Sequence, residues 1–175
     1  MHCVVEYDCT HFSTLQSISS LRTDAVKGGS IMGKEQFIGT WKLVSSEFRL
    51  SNGQVTYPMG RDAIGIIMYD TNWHVSVQIM RPDRPAFASG DQLKGTPMEI
   101  KSAFEGFVAY YGIYEVNEEK GIVTHHLEGS LFPNWVGTDQ RRFFKFSGNR
   151  LTLSTPPILF GGQQVTVVLI WERAE

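Results

Sequence analysis

From residue 40 onward, apolar and polar residues alternate in short stretches, which is typical of half-buried β-strands. Clusters of Gly, Asn, Asp and Ser separate these stretches and indicate turns. Strands are predicted at residues 41–50, 54–57, 63–70, 74–80, 112–117, 121–131, 140–146, 150–154 and 163–172. The pattern therefore predicts eight or nine antiparallel strands, connected mostly by hairpins.

One helix is predicted within this series of strands. Thr96-Pro97-Met98-Glu99 has the form of a capping box with proline at the first helical position. Apolar residues then recur at helical spacing, at positions 100, 103, 104, 107 and 108. Because short antiparallel strands need protected edges, closure of the sheet is the simplest arrangement. We expect an all-β fold, an up-and-down antiparallel barrel of 8–10 strands with one inserted amphipathic helix over one end.

The first 31 residues differ in composition from the rest of the chain. Both cysteines lie among the first ten residues, and the following stretch is rich in Ser and Thr. A basic start followed by an apolar run, the pattern of a secretory signal, is not present. We expect residues 1–31 to form a disordered or loosely attached extension, with a short helix near Leu15–Leu21 as the alternative. Residues 32–175 are expected to form the barrel domain, in a cytoplasmic protein.

Charge and motifs exclude several classes of function. Sixteen Lys and Arg against eighteen Asp and Glu give a net charge of −2, so the basic stripe typical of nucleic-acid binding is not expected. The longest apolar runs are too short for a membrane-spanning helix. No Gly-x-Ser-x-Gly motif or phosphate-binding glycine loop occurs. His125 and His126 are adjacent in a strand and face opposite ways, so they cannot share a metal ion. We therefore expect no cofactor and no metal site.

Several motifs resemble those of a known family. Gly39-Thr40-Trp41 at the first strand and Trp171-Glu172-Arg173 in the last strand are similar to lipocalin signatures. The segments 55–60, 76–85, 124–126, 130–138 and 151–156 resemble the lipocalin-like domain family of bacteria and fungi, over about residues 36–174. The resemblance implies a barrel with an internal cavity. Some relatives belong to secondary-metabolite pathways, in which small barrels can act as cyclases or isomerases.

The predicted strand at 121–131 carries the main catalytic candidates. His126 and Glu128 share one face, about 7 Å apart between their Cβ atoms. A carboxylate next to an imidazole raises its pKa and makes it a proton donor near neutral pH. Arg142, in the strand at 140–146, could orient a polar substrate. The predicted catalytic residues are therefore His126, Glu128 and Arg142, provided that these polar faces line the cavity; the alternative is that they face water.

Further side chains are candidates for contact with a ligand. They are polar residues of one strand face and aromatic residues near a cavity wall or rim: Tyr57, Tyr69, Ser76, Gln78, Met80, Tyr111 and Trp135. A single aromatic residue in a strand can equally belong to the core.

These observations leave three classes of function open. The preferred prediction is a small-molecule-binding barrel that acts as a cofactor-free cyclase or isomerase, or as a dehydratase, on a hydrophobic secondary-metabolite intermediate. The alternative is a non-catalytic binder or carrier of a hydrophobic small molecule. An interaction module that uses the outside of the barrel is the third class. The expected partner is a hydrophobic small molecule, and the sequence leaves a homodimer open.

Overall fold

The computed structural model describes residues 33–160 and 162–174. The extension predicted for residues 1–31 lies outside the described residues. The strands are β1 (Gly39–Leu50), β2 (Val55–Thr56), β3 (Ile64–Tyr69), β4 (His74–Met80), β5 (Phe107–Asn117), β6 (Ile122–Ser130), β7 (Asp139–Ser147), β8 (Arg150–Ser154), β9 (Ile158–Phe160) and β10 (Gln163–Arg173). Helix α1 spans Pro97–Glu105, and two 3-10 helices span Lys34–Gln36 and Pro133–Trp135.

The strands form one antiparallel sheet that closes on itself. Neighbours follow the order β2-β1-β3-β4-β5-β6-β7-β8-β10-β9, and β1 also pairs with β10 from Trp41↔Arg173 to Leu50↔Val165. The closed barrel consists of eight strands, β1, β3–β8 and β10, while β2 and β9 are short strands at its rim. The predicted up-and-down antiparallel barrel with one inserted helix is confirmed.

Alternation along each strand separates an inner face from an outer face. In β4 the inner side chains Val75, Val77 and Ile79 are each 5% exposed or less, and they belong to one hydrophobic core. The intervening residues 74, 76, 78 and 80 face outward. Burial of the inner set stabilises the barrel, because each buried aliphatic side chain contributes about 1.5–3 kcal/mol.

A β-bulge interrupts this alternation in β6. Tyr111 of β5 pairs with Gly129 and Gly112 pairs with Leu127, so Glu128 is an extra residue on the β6 side. A Cβ atom at Gly112 would collide with the carbonyl oxygen of His126, which explains the glycine at this close approach. The bulge changes the direction of the last residues of β6, near one end of the barrel.

One end of the barrel, here called the closed end, is filled by aromatic side chains. Phe37 is fully buried and makes edge-to-face contacts with Tyr69, Phe144 and Phe146, with ring centroids 5.0–5.1 Å apart. The indole N–H of Trp41 donates to the Phe37 carbonyl oxygen at 2.8 Å. Short turns join the strands here, at residues 70–73, 118–121 and 148–149. The closed end is therefore part of the core.

The opposite end, here called the open end, carries longer connections, at residues 51–63, 81–106, 131–138 and 155–162. Helix α1 lies in the second of these. Its capping box is present as predicted, with the Glu99 carboxylate accepting from the Thr96 N–H at 2.7 Å. The prediction that residues 107 and 108 continue the helical face is wrong, because α1 ends at Glu105 and β5 begins at Phe107. None of the nine residues of α1 is buried. No helix among the described residues has the length and apolar character needed to cross a membrane.

Candidate functional site

Four polar side chains meet on the inner face of the barrel. Tyr69 comes from β3, Tyr110 from β5, His125 from β6 and Arg142 from β7, and each is 9% exposed or less. The Tyr69 hydroxyl lies 2.9 Å from Nε2 of His125, and the Tyr110 hydroxyl lies 3.1 Å from Nδ1. We call these four residues the inner polar cluster. They form a hydrogen-bonded group within a largely apolar wall.

The period of two along β6 explains why His125 belongs to this cluster. Val123 and Leu127, two positions before and after it, are buried in the core at 0% and 3% exposure. Because residues two apart in a strand share one face, the imidazole between these two aliphatic side chains also points into the barrel. Gln140 of β7 lies on the inner face as well, because it pairs with His125 across β6 and β7. On the other side of β6, Tyr110 of β5 belongs to the buried core.

Burial keeps the imidazole of His125 uncharged. Desolvation lowers its pKa well below the usual value of 6.5, and the positive charge of Arg142 lowers it further, with His126 adding to the effect. At neutral pH the ring therefore has one N–H donor and one nitrogen acceptor. It can bridge two hydroxyl groups, accepting from one and donating to the other.

Both tyrosines of the cluster stay protonated. Burial raises the pKa of Tyr69 well above 10.0, and the repulsion from Tyr110 adds to this. Burial also raises the pKa of Tyr110, although the neighbouring guanidinium of Arg142 opposes that shift. The cluster thus presents hydroxyl groups and a guanidinium, with no negative charge of its own.

The inner face above the cluster, toward the open end, is partly exposed. Trp135, from the second 3-10 helix, packs at 81° to the Tyr110 ring with centroids 6.2 Å apart. Val108, Trp135 and Val167 are packed against the core yet only partly buried, and Gln140 is partly exposed as well. Solvent therefore reaches parts of this half, as it also reaches Phe144 and Phe146 at the closed end, whose centre is filled by the fully buried Phe37.

His126 and Glu128 do not lie on the inner face. Nδ1 of His126 is 2.7 Å from the carboxylate of Asp139, and its side chain is 35% exposed on the outside of the barrel. Glu128 is the exposed bulge residue. The catalytic role predicted for these two residues required an inward face, and the register gives that face to His125. Of the three predicted catalytic residues, the fold places Arg142 inside.

The predicted ligand-binding residues divide in the same way. Tyr69 belongs to the inner polar cluster, and Trp135 lies next to it. Outward-facing positions are occupied by Ser76, Gln78, Met80 and Tyr111, and the Tyr111 side chain is 56% exposed. Tyr57 follows β2 at the open end, under the guanidinium of Arg61 at 4.2 Å. The assumption that the more polar face of β4 lines the cavity is wrong, because its aliphatic face is the one that forms the core.

His125 and Tyr110 are the cluster members missing from the predicted site. The signal for His125 was present in the sequence, because this residue alternates with Val123 and Leu127. The inward direction of Tyr110 follows from the register of the sheet, since Tyr110 is two residues before Gly112, which pairs with Leu127. A histidine on the apolar side of a strand is therefore a better candidate for the interior than one on the polar side.

The described residues show no arrangement suited to a metal ion. No group of three or more His, Cys, Asp or Glu side chains among them could hold one. His125 faces inward and His126 faces outward, and the other cluster members are a guanidinium and two protonated tyrosines.

A groove of about 400 Å³ also lies at the open end of the barrel. It is lined by the end of β1, residues of β8 and β10 and Pro157. Its cation, Arg49, is already paired with Glu47 at 2.7 Å. The charges of this groove therefore do not need a ligand, in contrast to Arg142.

Comparisons with known proteins agree with this architecture. A 4'-hydroxy-3'-methoxypropiophenone carrier protein of Aspergillus oryzae (strain ATCC 42149 / RIB 40) is 33% identical over 106 residues, which cover 57% of this chain and 96% of that relative. The model of the lipocalin-like domain matches residues 38–174, nearly all of the described barrel. The chain belongs to the lipocalin-like domain family.

Proposed function

We propose that this protein binds a small hydrophobic molecule in the open half of its barrel and carries it unchanged. The observation behind the proposal is the inner polar cluster, which sets hydrogen-bond donors into an apolar wall. Binding sites for small molecules are typically apolar with a few placed polar groups, because burial supplies affinity and the polar groups fix orientation.

The relative from Aspergillus oryzae narrows the ligand class. Its name states that it is the carrier of an aryl ketone with a phenol and a methoxy group. Such a molecule combines one aromatic ring with several oxygen acceptors. It suits a site in which Trp135 and the valines supply apolar contacts while Tyr110 and Arg142 supply donors. We therefore propose an aryl ketone of this kind as the ligand.

A second candidate function uses the same site for catalysis. The neutral imidazole of His125 lies between two hydroxyl groups, at 2.9 Å and 3.1 Å. It can take up a proton at one nitrogen and release one at the other. This arrangement suits a cofactor-free cyclisation, isomerisation or dehydration of a hydrophobic intermediate. The apolar wall would assist by restricting the conformations of the substrate.

Binding is tested first with 4'-hydroxy-3'-methoxypropiophenone and with the neutral fluorescent probe N-phenyl-1-naphthylamine. We expect saturable binding of both by calorimetry and fluorescence, with the ketone displacing the probe. Trp135→Ala should weaken both, whereas Trp73→Ala, at the closed end, should not. If neither compound binds, the proposed function is wrong.

The same samples distinguish carrier from enzyme. After incubation, mass spectrometry of the recovered ketone should show unchanged ligand if the protein is a carrier. In parallel, the protein is incubated with a metabolite extract, which contains candidate substrates other than this ketone. A new compound of equal mass, or lighter by one water, that forms with wild-type protein and not with His125→Leu would identify an enzyme instead.

A further inference from the structure

Arg142 is a buried cation without a carboxylate partner. Its side chain is 9% exposed, and its guanidinium donates to the carbonyl oxygen of Arg141 at 2.8 Å and to the amide oxygen of Gln140 at 3.3 Å. A guanidinium keeps its charge at any ordinary pH. A buried charge that meets only neutral acceptors is costly, because water is removed and no opposite charge replaces it.

The inner face holds no anion that could compensate this charge. None of the Asp or Glu side chains among the described residues is buried. The titratable groups facing Arg142 are Tyr69, Tyr110 and His125, and all three are neutral at physiological pH. By contrast, the exposed arginines Arg49 and Arg81 pair with carboxylates at 2.7 Å and 3.0 Å. The charge inside the barrel is thus the unbalanced one.

The hydrogen bonds of the cluster leave a second donor free. Tyr69 is 2% exposed, and its hydroxyl contacts Nε2 of His125. If Tyr69 donates there, its proton is satisfied, and the ring proton must then lie on Nδ1. Nδ1–H donates to the oxygen of Tyr110 at 3.1 Å. The hydroxyl proton of Tyr110 is then available, next to the guanidinium of Arg142.

The opposite order of protons leaves the hydroxyl of Tyr69 free instead. If Tyr110 donated to Nδ1, the ring would donate from Nε2 to Tyr69, and the buried Tyr69 proton would have no acceptor among the described residues. A buried donor without an acceptor costs the full desolvation of that group. In either order one buried tyrosine proton has no acceptor among the described residues, and a ligand acceptor next to Arg142 favours the order in which that proton belongs to Tyr110. Arg142 itself meets only the neutral acceptors of Arg141 and Gln140.

We propose that Arg142 and Tyr110 bind the ligand through an anionic oxygen. This inference rests on the proposed function and specifies its ligand: an acyl phenol bound as the phenolate. On binding, the phenol O–H bond breaks, its proton leaves to solvent, and the electron pair stays on the oxygen. The phenolate then neutralises the guanidinium and accepts from the Tyr110 hydroxyl.

The test uses two ligands that differ in one ionisable group. The phenol of 4'-hydroxy-3'-methoxypropiophenone can ionise, whereas 3',4'-dimethoxypropiophenone cannot. Ionisation of an acyl phenol shifts its absorption to longer wavelength, so the bound fraction of phenolate is read directly during a pH titration. We expect the pKa of the phenol to fall by about 1 to 3 units on binding, as is typical next to a buried opposite charge.

Adjacent residues on the outer face provide matched controls. Arg142→Met should abolish the shift in the phenol pKa, and Tyr110→Phe should reduce it. Arg141→Met and Tyr111→Phe should leave it unchanged, because these side chains are exposed. To wild-type protein, the dimethoxy ketone should bind at least about tenfold more weakly than the phenol. To Arg142→Met, the two ketones should bind about equally.

The outcomes separate this inference from the proposed function. If the phenol binds without a shift in its pKa, or if Arg142→Met keeps the shift, the inference is overturned while binding stands. If N-phenyl-1-naphthylamine binds and the phenol does not, the inference is overturned in the same way. If none of the compounds binds, both proposals fail.

The stability of the variant excludes a purely structural explanation. Removal of a buried charge that lacks a partner should leave the melting temperature of the ligand-free protein unchanged or higher. A clear fall in the melting temperature of Arg142→Met would mean that Arg142 holds the barrel together, and would contradict the inference. Arg142→Lys keeps the charge and should retain part of the shift in the phenol pKa.

Discussion

The two ends of the barrel are built from the same strands but have opposite properties. At the closed end, short turns bring Phe37, Trp41 and Trp171 together, and each is at most 1% exposed. At the open end, the connections are long, and the inner side chains Val108, Trp135 and Val167 are only partly buried. The closed end therefore supplies stability, and the open end is the half in which we propose that the ligand binds.

The comparison extends to how polar groups are satisfied. At the closed end, Arg173 stacks on the Trp41 ring at 4.1 Å and donates to the carbonyl oxygens of Ile38 and Gln36 at 2.8 Å and 2.6 Å. Its charge is exposed to solvent at the same time. Arg142, in the middle of β7, is buried and meets neutral acceptors only. Arg173 thus stabilises the fold, whereas Arg142 is the arginine to which we assign ligand binding.

The largest effect is expected from emptying the closed end. Phe37→Ala removes a fully buried ring that touches Tyr69, Phe144 and Phe146. The free energy of unfolding should fall by about 3–5 kcal/mol, because the cavity cannot be refilled. Phe132→Ala, at the open end, should cost less than about 1 kcal/mol, since that ring is 42% exposed. Urea denaturation measures both; similar losses would contradict the difference between the ends.

A smaller loss is expected within the inner polar cluster. His125→Leu leaves the buried Tyr69 hydroxyl without a partner, which costs about 1–3 kcal/mol. Adding Tyr69→Phe should recover part of that loss, because both polar partners are then gone. His126→Ala removes an exposed pair with Asp139 and should change stability by about 1 kcal/mol at most. If the two histidine variants lose equal stability, the assignment of inner and outer faces is wrong.

The same histidine makes stability depend on pH. In the unfolded chain His125 binds a proton below about pH 6.5, whereas the buried imidazole, with its lowered pKa, does not. The unfolded chain therefore binds more protons, and the free energy of unfolding falls as the pH falls below about 6.5. The slope should approach about 1.4 kcal/mol per pH unit.

Urea denaturation between about pH 7 and pH 5 measures this slope, since the carboxylates with lowered pKa, such as Asp70, titrate at lower pH. His125→Leu should lose the slope, and His126→Ala should keep it. The prediction fails if His125→Leu shows the same dependence on pH as the wild-type protein.

The smallest effect on global stability is expected at helix α1. Thr96→Ala removes the hydroxyl that caps the helix through Glu99, a change worth about 0.5–2 kcal/mol to the helix itself. Because no residue of α1 is buried, the helix should open without unfolding the barrel. Hydrogen exchange should become faster in residues 97–105, with unchanged urea denaturation. A clear loss of global stability would show that the open end belongs to the same cooperative unit as the core.

Most of the secondary structure followed from local patterns. The strands at 74–80 and 150–154 match the observed β4 and β8, and the capping box at Thr96 begins α1 as predicted. The helix was predicted too long, because Phe107 and Val108 fit a helical face and a strand face equally well. Pairing of β5 with β4 decides between them, since Val108 lies opposite Ile79 and Phe107 opposite Met80.

The candidate site was less predictable than the fold. Strand alternation correctly separated His125 from His126, yet the polar face was chosen as the cavity lining. The aliphatic neighbours of His125 were the better guide, because the face that buries more apolar area turns inward. The bulge at Glu128 adds a further change of direction that the alternation does not show.

The sequence by itself determined the barrel, its strands, the capped helix and the family, because these depend on short-range periodicity and on motifs that can be recognised in one dimension. Only the tertiary structure decided which residues meet. Closure of β1 onto β10 makes one face of every strand the interior, and it brings Tyr69, Tyr110, His125 and Arg142 from four separate strands into contact. That meeting results from the register of the whole sheet, which no single segment of the sequence specifies.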